Sequence, residues 1–443
     1  VTPELLAGRG SCPEPSGPGV DHTADITADE TWAAADGPHR IPNSIAIEAT
    51  VSVEACAIVL LGADVYVAVG DDDVTGRLVA TGEVTTDADG TVDVRPVHFD
   101  AIDPTQPWAQ ISAEPMGTIE LSVAALMHGG SAPINAPGAL LLRGVAGGTN
   151  GGAVIRNGTV DRVLVSDAVG HAVNLDGYAG FTEDSAQLWI LRSGSDDEPA
   201  AVRVEPGIAY TLPAELVIDD NVADEILVET SKAFMGDDTW RDHGVRYRVR
   251  SPLYVNPHED GPAVTLTIDP GVTVAFDDFV ATGIYVGTSE QRLGNLVADG
   301  TAEQPIVFTS ASPSPAAGAW LGIYFRYYEL AAPSISHARF EYAGGDSGYS
   351  GFGCSESDND SAIIIEGQGE DDAGPAEAFV HDCEFDEIAG GTVIVSGWSG
   401  AAAPDFSAVN SFGAATPACR VSQPRRPPGE GGDSCEGRDM CWG

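Results

Sequence analysis

The sequence predicts an all-β fold, a right-handed parallel β-helix built from two duplicated halves. Three observations support it: an internal duplication, a rhythm of short apolar runs, and the lack of helical periodicity between those runs. Together they describe a solenoid in which each coil buries its inner face against its neighbours. A pair of β-sandwiches is the alternative that short strands also allow.

The duplication consists of short segments that occur in the same order in both halves of the chain. The pairs are Thr31-Trp32 with Thr239-Trp240, Trp108 with Trp320, 138–144 with 361–367, and 173–180 with 393–400. Ordered self-similarity is the signature of a repeat architecture. We therefore expect a leader or cap at 1–30, a first half at 31–238, a second half at 239–418 and a tail at 419–443.

Within each half, alternating apolar runs recur roughly every 20 to 25 residues, a length suited to one solenoid coil. In the second half these runs are 264–268, 272–276, 283–286, 306–308, 322–325 and 335–340. Turn-forming residues separate them, and the chain contains 53 glycines and 29 prolines. The i, i+3, i+4 spacing of a crossover helix is missing between the runs, which favours a β-solenoid.

The charge balance is strongly acidic, with 67 acidic and 21 basic side chains and a formal charge of −46. Such a charge disfavours nucleic acid and anionic membranes as partners. Calcium is therefore the cofactor that we consider, and we expect no other. The sequence also lacks an apolar run of about 20 residues, so we predict no transmembrane segment.

The seven cysteines show neither CxxC nor Cys/His metal spacing, which argues against a structural zinc site. Disulfides in an oxidising compartment are the preferred interpretation, and buried free thiols are the alternative. Cys435 and Cys441 lie close enough in sequence to pair locally. We accordingly expect a secreted or cell-surface protein whose export signal was removed before Val1.

Three coil motifs of the second half carry a family resemblance. They are Gly300-Thr-Ala-Glu-Gln-Pro-Ile-Val-Phe-Thr-Ser, Trp320-Leu-Gly-Ile-Tyr-Phe and Phe340-Glu-Tyr-Ala-Gly-Gly. This part of the chain resembles right-handed parallel β-helix repeat proteins of bacterial surfaces, a group common in myxobacteria. The resemblance is specific over 239–345 and weaker over 30–240. It implies the fold and an extracellular location, and it implies no particular activity.

Catalysis on polysaccharides is the alternative function, because parallel β-helices also include such enzymes. Asp219 and Asp220 could supply the two carboxylates that an inverting glycosidase requires. Gly170-His171 resembles a Gly-His element of the polygalacturonases. In that family, however, the Asp pair precedes the Gly-His element, and here it follows.

A second catalytic candidate is Asn256-Pro257-His258-Glu259, which resembles the Asp-Pro-His-Asp motif of alginate epimerases. By that resemblance His258 and Glu259 would transfer protons at a uronate. Asn256 stands where the family has its first Asp, which removes one carboxylate. An ordinary polar turn is the competing interpretation of this segment.

Acidic turns suggest calcium sites, because adjacent carboxylates supply several of the six to eight oxygens that Ca²⁺ requires. The candidate ligands are Asp71, Asp72 and Asp73 after one strand, and Asp277 and Asp278 after its repeat partner. None of these segments is an EF-hand. Solvated turns without metal are the alternative.

Two groups of side chains are candidates for ligand binding. The aromatic group is Trp320, Tyr324 and Tyr328, which could share one strand face and stack on sugars. The basic group is Arg246, Arg248 and Arg250, whose spacing of two places three guanidinium groups on one face. The alternatives are a core role for the aromatic group and pairing with carboxylates of adjacent coils for the arginines.

These observations favour a non-enzymatic extracellular or cell-surface protein with a structural, adhesive or glycan-binding role. Its partner would be a polysaccharide or another surface protein. The alternative is a lyase, hydrolase or uronate epimerase that acts on an acidic polymer in a groove of the β-helix.

Overall fold

The structure is a computed structural model that describes residues 1–131, 138–145, 154–229, 233–278, 282–329, 331–348, 359–366, 374–397, 404–422 and 441–442. The chain divides into two compact units, Val1–Leu227 and Val228–Gly443. The sequence placed the boundary between its two halves at 238/239. Within the described residues, no helix is long and apolar enough to cross a membrane.

The first unit begins with the helix α1 (Pro3–Ala7) and has 3-10 turns at Ala34–Asp36 and Ala209–Thr211. Its strands are β1 Val20–Asp21, β2 Glu30–Trp32, β3 His39–Ile41, β4 Ile45–Ile47, β5 Thr50–Val53, β6 Ile58–Leu61, β7 Tyr66–Val69, β8 Gly76–Thr81, β9 Glu83–Thr86, β10 Val92–Arg95, β11 Val97–Ala101, β12 Gln110–Ala113, β13 Gly117–Met127, β14 Leu140–Arg143, β15 Ile155–Ser166, β16 Val173–Asp176, β17 Ala179–Phe181, β18 Gln187–Leu191, β19 Ala200–Val204, β20 Glu215–Asp219 and β21 Ala223–Val228.

The second unit consists of short strands in the part of the chain that the structure describes. They are β22 Asp238–Trp240, β23 Arg246–Val249, β24 Leu253–Val255, β25 Val264–Ile268, β26 Thr273–Phe276, β27 Ile284–Val286, β28 Gly294–Asp299, β29 Ile306–Ser310, β30 Ile323–Phe325, β31 Ser334–Ser336, β32 Ala338–Glu341, β33 Ile363–Glu366, β34 Val380–His381, β35 Glu384–Asp386, β36 Ile394–Gly397, β37 Ser411–Phe412, β38 Val421–Ser422 and β39 Cys441–Trp442.

Parallel pairing between coils organises the first unit. One sheet follows the order β1-β3-β6-β11-β13-β15-β18-β20, and a second contains β4, β7, β12, β14, β16 and β19 as successive neighbours. The strand pairs described within both sheets are parallel, whereas β9 and β10 form a separate antiparallel hairpin. Each strand therefore pairs mainly with the corresponding strand of another coil.

The second unit has the clearest solenoid geometry. Each coil supplies one strand to each of three sheets, as β22, β23 and β24 do in one coil and β25, β26 and β27 in the next. Among the described strands of this unit the stacked ones are parallel, and β38 and β39 pair antiparallel. This arrangement confirms the predicted parallel β-helix, whereas a β-sandwich would require antiparallel sheets. The right hand of the helix stays a prediction based on the preference of parallel crossovers.

Inward positions at equal places in successive coils form stacks along the core. Phe308, Phe340, Phe385 and Phe412 form one such stack, with successive ring centroids 5.0, 4.8 and 5.5 Å apart. Alternation explains it, since the strand residues on either side of Phe340 and Phe385 are less buried. Aromatic pairs add roughly 0.5–1.5 kcal/mol each beyond burial, so the stack ties several coils together.

The tryptophans that mark the duplication make equivalent contacts in the two halves. The indole N–H of Trp32 donates to Glu30 at 3.0 Å, and that of Trp240 donates to Asp238 at 3.1 Å, in each case two residues back. Each indole also stacks on the ring seven residues later, His39 in the first half and Tyr247 in the second. The shared motif thus builds the same local structure twice.

The N-terminal leader packs against the rest of the first unit. Leu6 of α1 is fully buried and packs with Val94, Val123, Ala125 and Leu164. The backbone carbonyls of residues 6 and 8 lie 2.9 and 3.1 Å from Nε2 of His98. The leader is therefore fastened by packing and by hydrogen bonds.

A disulfide joins Cys12 of the leader to Cys56. Cys419 is also disulfide-bonded, whereas Cys383 is a buried free thiol whose pKa burial raises to about 12. The suggested local pair of Cys435 and Cys441 concerns side chains outside the described residues.

Candidate functional site

The aromatic group predicted to stack on sugars is buried. Trp320, Tyr324 and Tyr328 are only 1, 3 and 2% exposed. Trp320 stacks on Phe276 with ring centroids 4.2 Å apart and donates its N–H to the carbonyl of Glu341 at 2.8 Å. This burial agrees with the alternative of a core role and leaves little ring surface for a sugar, and ligand binding by these three residues stays a prediction.

The two tyrosines of that group are tied to a single glutamate. The hydroxyl of Tyr324 donates to the carboxylate of Glu366 at 2.8 Å, and that of Tyr328 donates to the backbone carbonyl of the same residue at 3.2 Å. Burial raises the pKa of Tyr328 well above its ordinary value, and the Glu366 charge adds to the effect. Both hydroxyls serve contacts within the protein.

The arginine group pairs across coils. Arg248 of β23 donates to both carboxylate oxygens of Asp277, at 2.6 and 3.1 Å. Asp277 belongs to the next coil of the solenoid. Arg250 lies 3.7 Å from Glu229, and Arg246 also has a partner in the protein. The side chains of the Arg248–Asp277 pair are 25 and 19% exposed, so this contact is largely shielded. These contacts agree with the alternative of pairing between coils, and binding of an acidic glycan by the three guanidinium groups stays a prediction.

The same pair bears on the predicted calcium sites. Asp277 uses both oxygens on Arg248, and its neighbour Asp278 is exposed. The turn of Asp71, Asp72 and Asp73 is exposed, and Asp71 accepts a hydrogen bond from the amide of Asp72 at 2.8 Å. Among the described residues, no three His, Cys, Asp or Glu side chains are grouped to hold a metal ion. Calcium binding stays a prediction, and Asp71–Asp73 is the better place to look for it.

The first catalytic candidates lie on the surface or in the core of the first unit. Asp219 and Asp220 are exposed at the end of β20. His171 is 1% exposed, with Nδ1 2.6 Å from the carbonyl of Ala200 and Nε2 3.4 Å from Glu198. The exposed aspartates and the buried imidazole thus occupy different kinds of environment.

The second catalytic candidate lies in the turn after β24. His258 is half-buried and Glu259 is exposed. Asn256 is buried and donates through its side-chain amide to the carbonyl of Pro257 at 3.0 Å. The amide of His258 donates to the carbonyl of Phe234 at 2.8 Å. Asn256 therefore shapes the turn, as the competing interpretation of an ordinary turn requires.

Sequence reasoning missed a column of tyrosines on the outward face of one sheet. We call Tyr254, Tyr285 and Tyr324 the tyrosine column, because they pair in register in the successive strands β24, β27 and β30. Exposure falls along it from 41% at Tyr254, through the half-buried Tyr285, to 3% at Tyr324. The signal was present as the repeated triplets Leu-Tyr-Val, Ile-Tyr-Val and Ile-Tyr-Phe at these positions.

The column is a stack with one accessible end. The rings of Tyr254 and Tyr285 lie 5.0 Å apart at 27°, and those of Tyr285 and Tyr324 lie 5.9 Å apart at 58°. Burial, together with Tyr254 and Asp346, raises the pKa of Tyr285 to about 12, so its hydroxyl stays protonated at neutral pH. An exposed aromatic ring beside a tyrosine hydroxyl can stack and form hydrogen bonds at the same time.

This column lies in the part of the chain that matches a protein-family model. Residues 234–364 match the family model of a pectate-lyase-like β-helix domain. The match covers less than a third of the 443 residues and agrees with the stacked parallel sheets of the second unit. No curated protein and no solved structure matches the chain.

Proposed function

We propose that this chain is a secreted or cell-surface bacterial protein, of the kind its second-half coils resemble. It would act without catalysis, in a structural, adhesive or glycan-binding role. The observation that carries the proposal is that outward charged side chains form ion pairs between successive coils. Arg248 with Asp277 in the second unit and Arg192 with Asp167 in the first are two-point pairs between coils. In such pairs, both charged groups hold adjacent coils of the scaffold together.

The disulfide between Cys12 and Cys56 supports the extracellular part of the proposal. Disulfides persist in oxidising compartments and are rare in the cytosol. This one fastens the leader to the rest of the first unit across 44 residues of sequence, a separation at which a cross-link restricts the unfolded chain strongly. In denatured, unreduced protein, we expect a thiol reagent to find Cys383 and no other free thiol. Six or seven free thiols would contradict secretion.

Polysaccharide turnover is the second candidate, favoured by the match to a pectate-lyase-like domain over 234–364. That segment includes His258 and Glu259. The deciding experiment incubates the protein with pectate and alginate and measures unsaturated products, reducing ends and uronate composition. We expect no turnover. Product formation that disappears in the His258→Ala variant would overturn the proposal in favour of an enzyme.

A further inference from the structure

The tyrosine column ends at the edge of its sheet. Among the described residues, β24 is the first strand of the sheet that continues through β27 and β30. Leu253 and Val255 beside Tyr254 are fully buried, so the tyrosine is the outward member of the strand. Tyr285 is the ring partner of Tyr254, and it covers one of the two faces of that ring. Among the residues that the structure describes, no further strand of this sheet covers the other face.

The ring is supported from behind. Tyr285 packs against a buried cluster of Leu321, Tyr324, Ile364 and Val395. This backing restricts Tyr285, and stacking on Tyr285 restricts Tyr254 in turn. A rigid aromatic anchor loses little conformational entropy when a ligand stacks on it, and aromatic anchors of this kind carry much of the energy in recognition sites.

We propose that the exposed end of the tyrosine column binds a neutral polysaccharide, with the ring of Tyr254 stacking on the apolar face of a pyranose. This inference rests on the glycan-binding part of the proposed function and names the ligand class. The apolar C–H face of a sugar ring matches an aromatic face, while its hydroxyls require hydrogen-bonding groups at the rim.

The charge of the protein selects a neutral polymer over an acidic one. The net charge is −46, and the carboxylate of Asp346 acts on Tyr285. The neighbouring Arg326 lies 3.9 Å from Glu366 and over the ring of Tyr327, so it is already engaged. A polyuronate would meet like charge here. The hydroxyls of a neutral sugar can instead donate to carboxylates, which accept hydrogen bonds.

The test uses a matched pair of tyrosines. Tyr66 of the first unit is 42% exposed, close to the 41% of Tyr254, and it has no ring partner among the described residues. The variants are Tyr254→Ala, Tyr254→Trp and the control Tyr66→Ala, each checked for an unchanged melting temperature. Affinity electrophoresis and calorimetry measure binding to laminarin and to a soluble galactomannan as neutral probes, and to polygalacturonate as the acidic probe.

We expect Tyr254→Ala to weaken binding of at least one neutral probe roughly tenfold, the upper end for one aromatic stack. Tyr254→Trp should retain that binding and Tyr66→Ala should leave it unchanged. The site is refuted if both alanine variants behave alike, if neither neutral probe binds, or if polygalacturonate alone binds. Reducing ends are measured in the same mixtures. Turnover would overturn the proposed non-enzymatic function. If no turnover occurs and the binding of neutral probes does not depend on Tyr254, only this site is overturned.

Discussion

His243 should make the stability of the second unit depend on pH. His243 lies in the loop that connects β22 to β23, and its Nε2 is buried without a hydrogen-bond partner in the described part of the chain. Burial lowers the pKa of His243 from 6.5 to about 4, with Arg241 adding to this effect and Asp242 opposing it. The unfolded chain therefore takes up this proton at higher pH than the folded chain. The free energy of unfolding falls as the pH drops from 6.5 to about 4.

The expected change in the free energy of unfolding follows from the difference between the pKa values of His243 in the unfolded and folded chain. At about 1.4 kcal/mol for each pH unit, the full difference would be roughly 3 kcal/mol. Because the ring is only half-buried by surface area and is partly screened by solvent, we expect about 1–2 kcal/mol. Replacing the ring by phenylalanine in His243→Phe removes the titration and retains an aromatic side chain.

The measurement compares urea unfolding of the wild type and His243→Phe at several pH values between 7.5 and 4. The carboxylates titrate in both proteins, so the difference between the two profiles isolates the histidine. We expect that difference to grow in favour of the variant between pH 6.5 and 4. An NMR titration of the His243 ring gives an independent midpoint. Parallel profiles, or a midpoint near 6.5, would refute the reasoning.

Three further predictions concern the pairs, the core and the ions. A double-mutant cycle with Arg248→Ala and Asp277→Ala should give a coupling free energy of about 1–3 kcal/mol in urea unfolding, and a coupling near zero would contradict a stabilising pair. Trp320→Ala should destabilise the protein by about 3–5 kcal/mol, measured in the same way, whereas an effect below about 1 kcal/mol would contradict its core position. Millimolar Ca²⁺ should raise the melting temperature more than Mg²⁺ at equal ionic strength, and the excess should disappear when Asp71–Asp73 is replaced by asparagine. Equal effects of Ca²⁺, Mg²⁺ and matched NaCl would leave screening alone as the cause.

The fold could be predicted from sequence because the residue pattern within each coil indicates its strands and turns. Alternation within a run such as Val264–Ile268 fixes which side chains face inward, and the structure buries Val264, Leu266 and Ile268 as that alternation requires. The turns between runs limit each strand to a few residues. Since a solenoid repeats the same contact from coil to coil, a pattern seen once constrains many strands.

The sites could not be predicted in the same way, because alternation does not tell whether an outward side chain meets solvent. Tyr254 and Tyr324 stand in similar triplets and in register, yet one is 41% exposed and the other 3%. The two positions differ in how much of the rest of the protein packs over the tyrosine, and the residues that pack there come from distant parts of the sequence. The predicted aromatic group therefore contained Tyr324, at the buried end of the column, and missed the accessible ring.

The arginines show why a local charge pattern misleads in a solenoid. Arg248 stands near Arg246 and Arg250 in sequence, but its partner Asp277 is 29 residues away. Arg192 and Asp167 are 25 residues apart, and Arg339 and Glu384 are 45 apart. Neighbouring strands lie about 4.8 Å apart, so outward charges at equal positions of successive coils, as in Arg339 and Glu384, or at diagonal positions, as in Arg248 and Asp277, come close enough to pair.

In a chain with 67 acidic and 21 basic side chains, stacking coils at this distance would otherwise bring carboxylates together. An arginine placed between two acidic coils turns that repulsion into attraction, and its planar guanidinium can hold both oxygens of a carboxylate. This explains why basic side chains appear where strands stack even though the surface as a whole is acidic. Because carboxylates outnumber arginines threefold, most must face solvent, and their mutual repulsion is what monovalent salt relieves. Stability should therefore rise with NaCl in the wild type and rise less steeply in variants that replace exposed aspartates by asparagine.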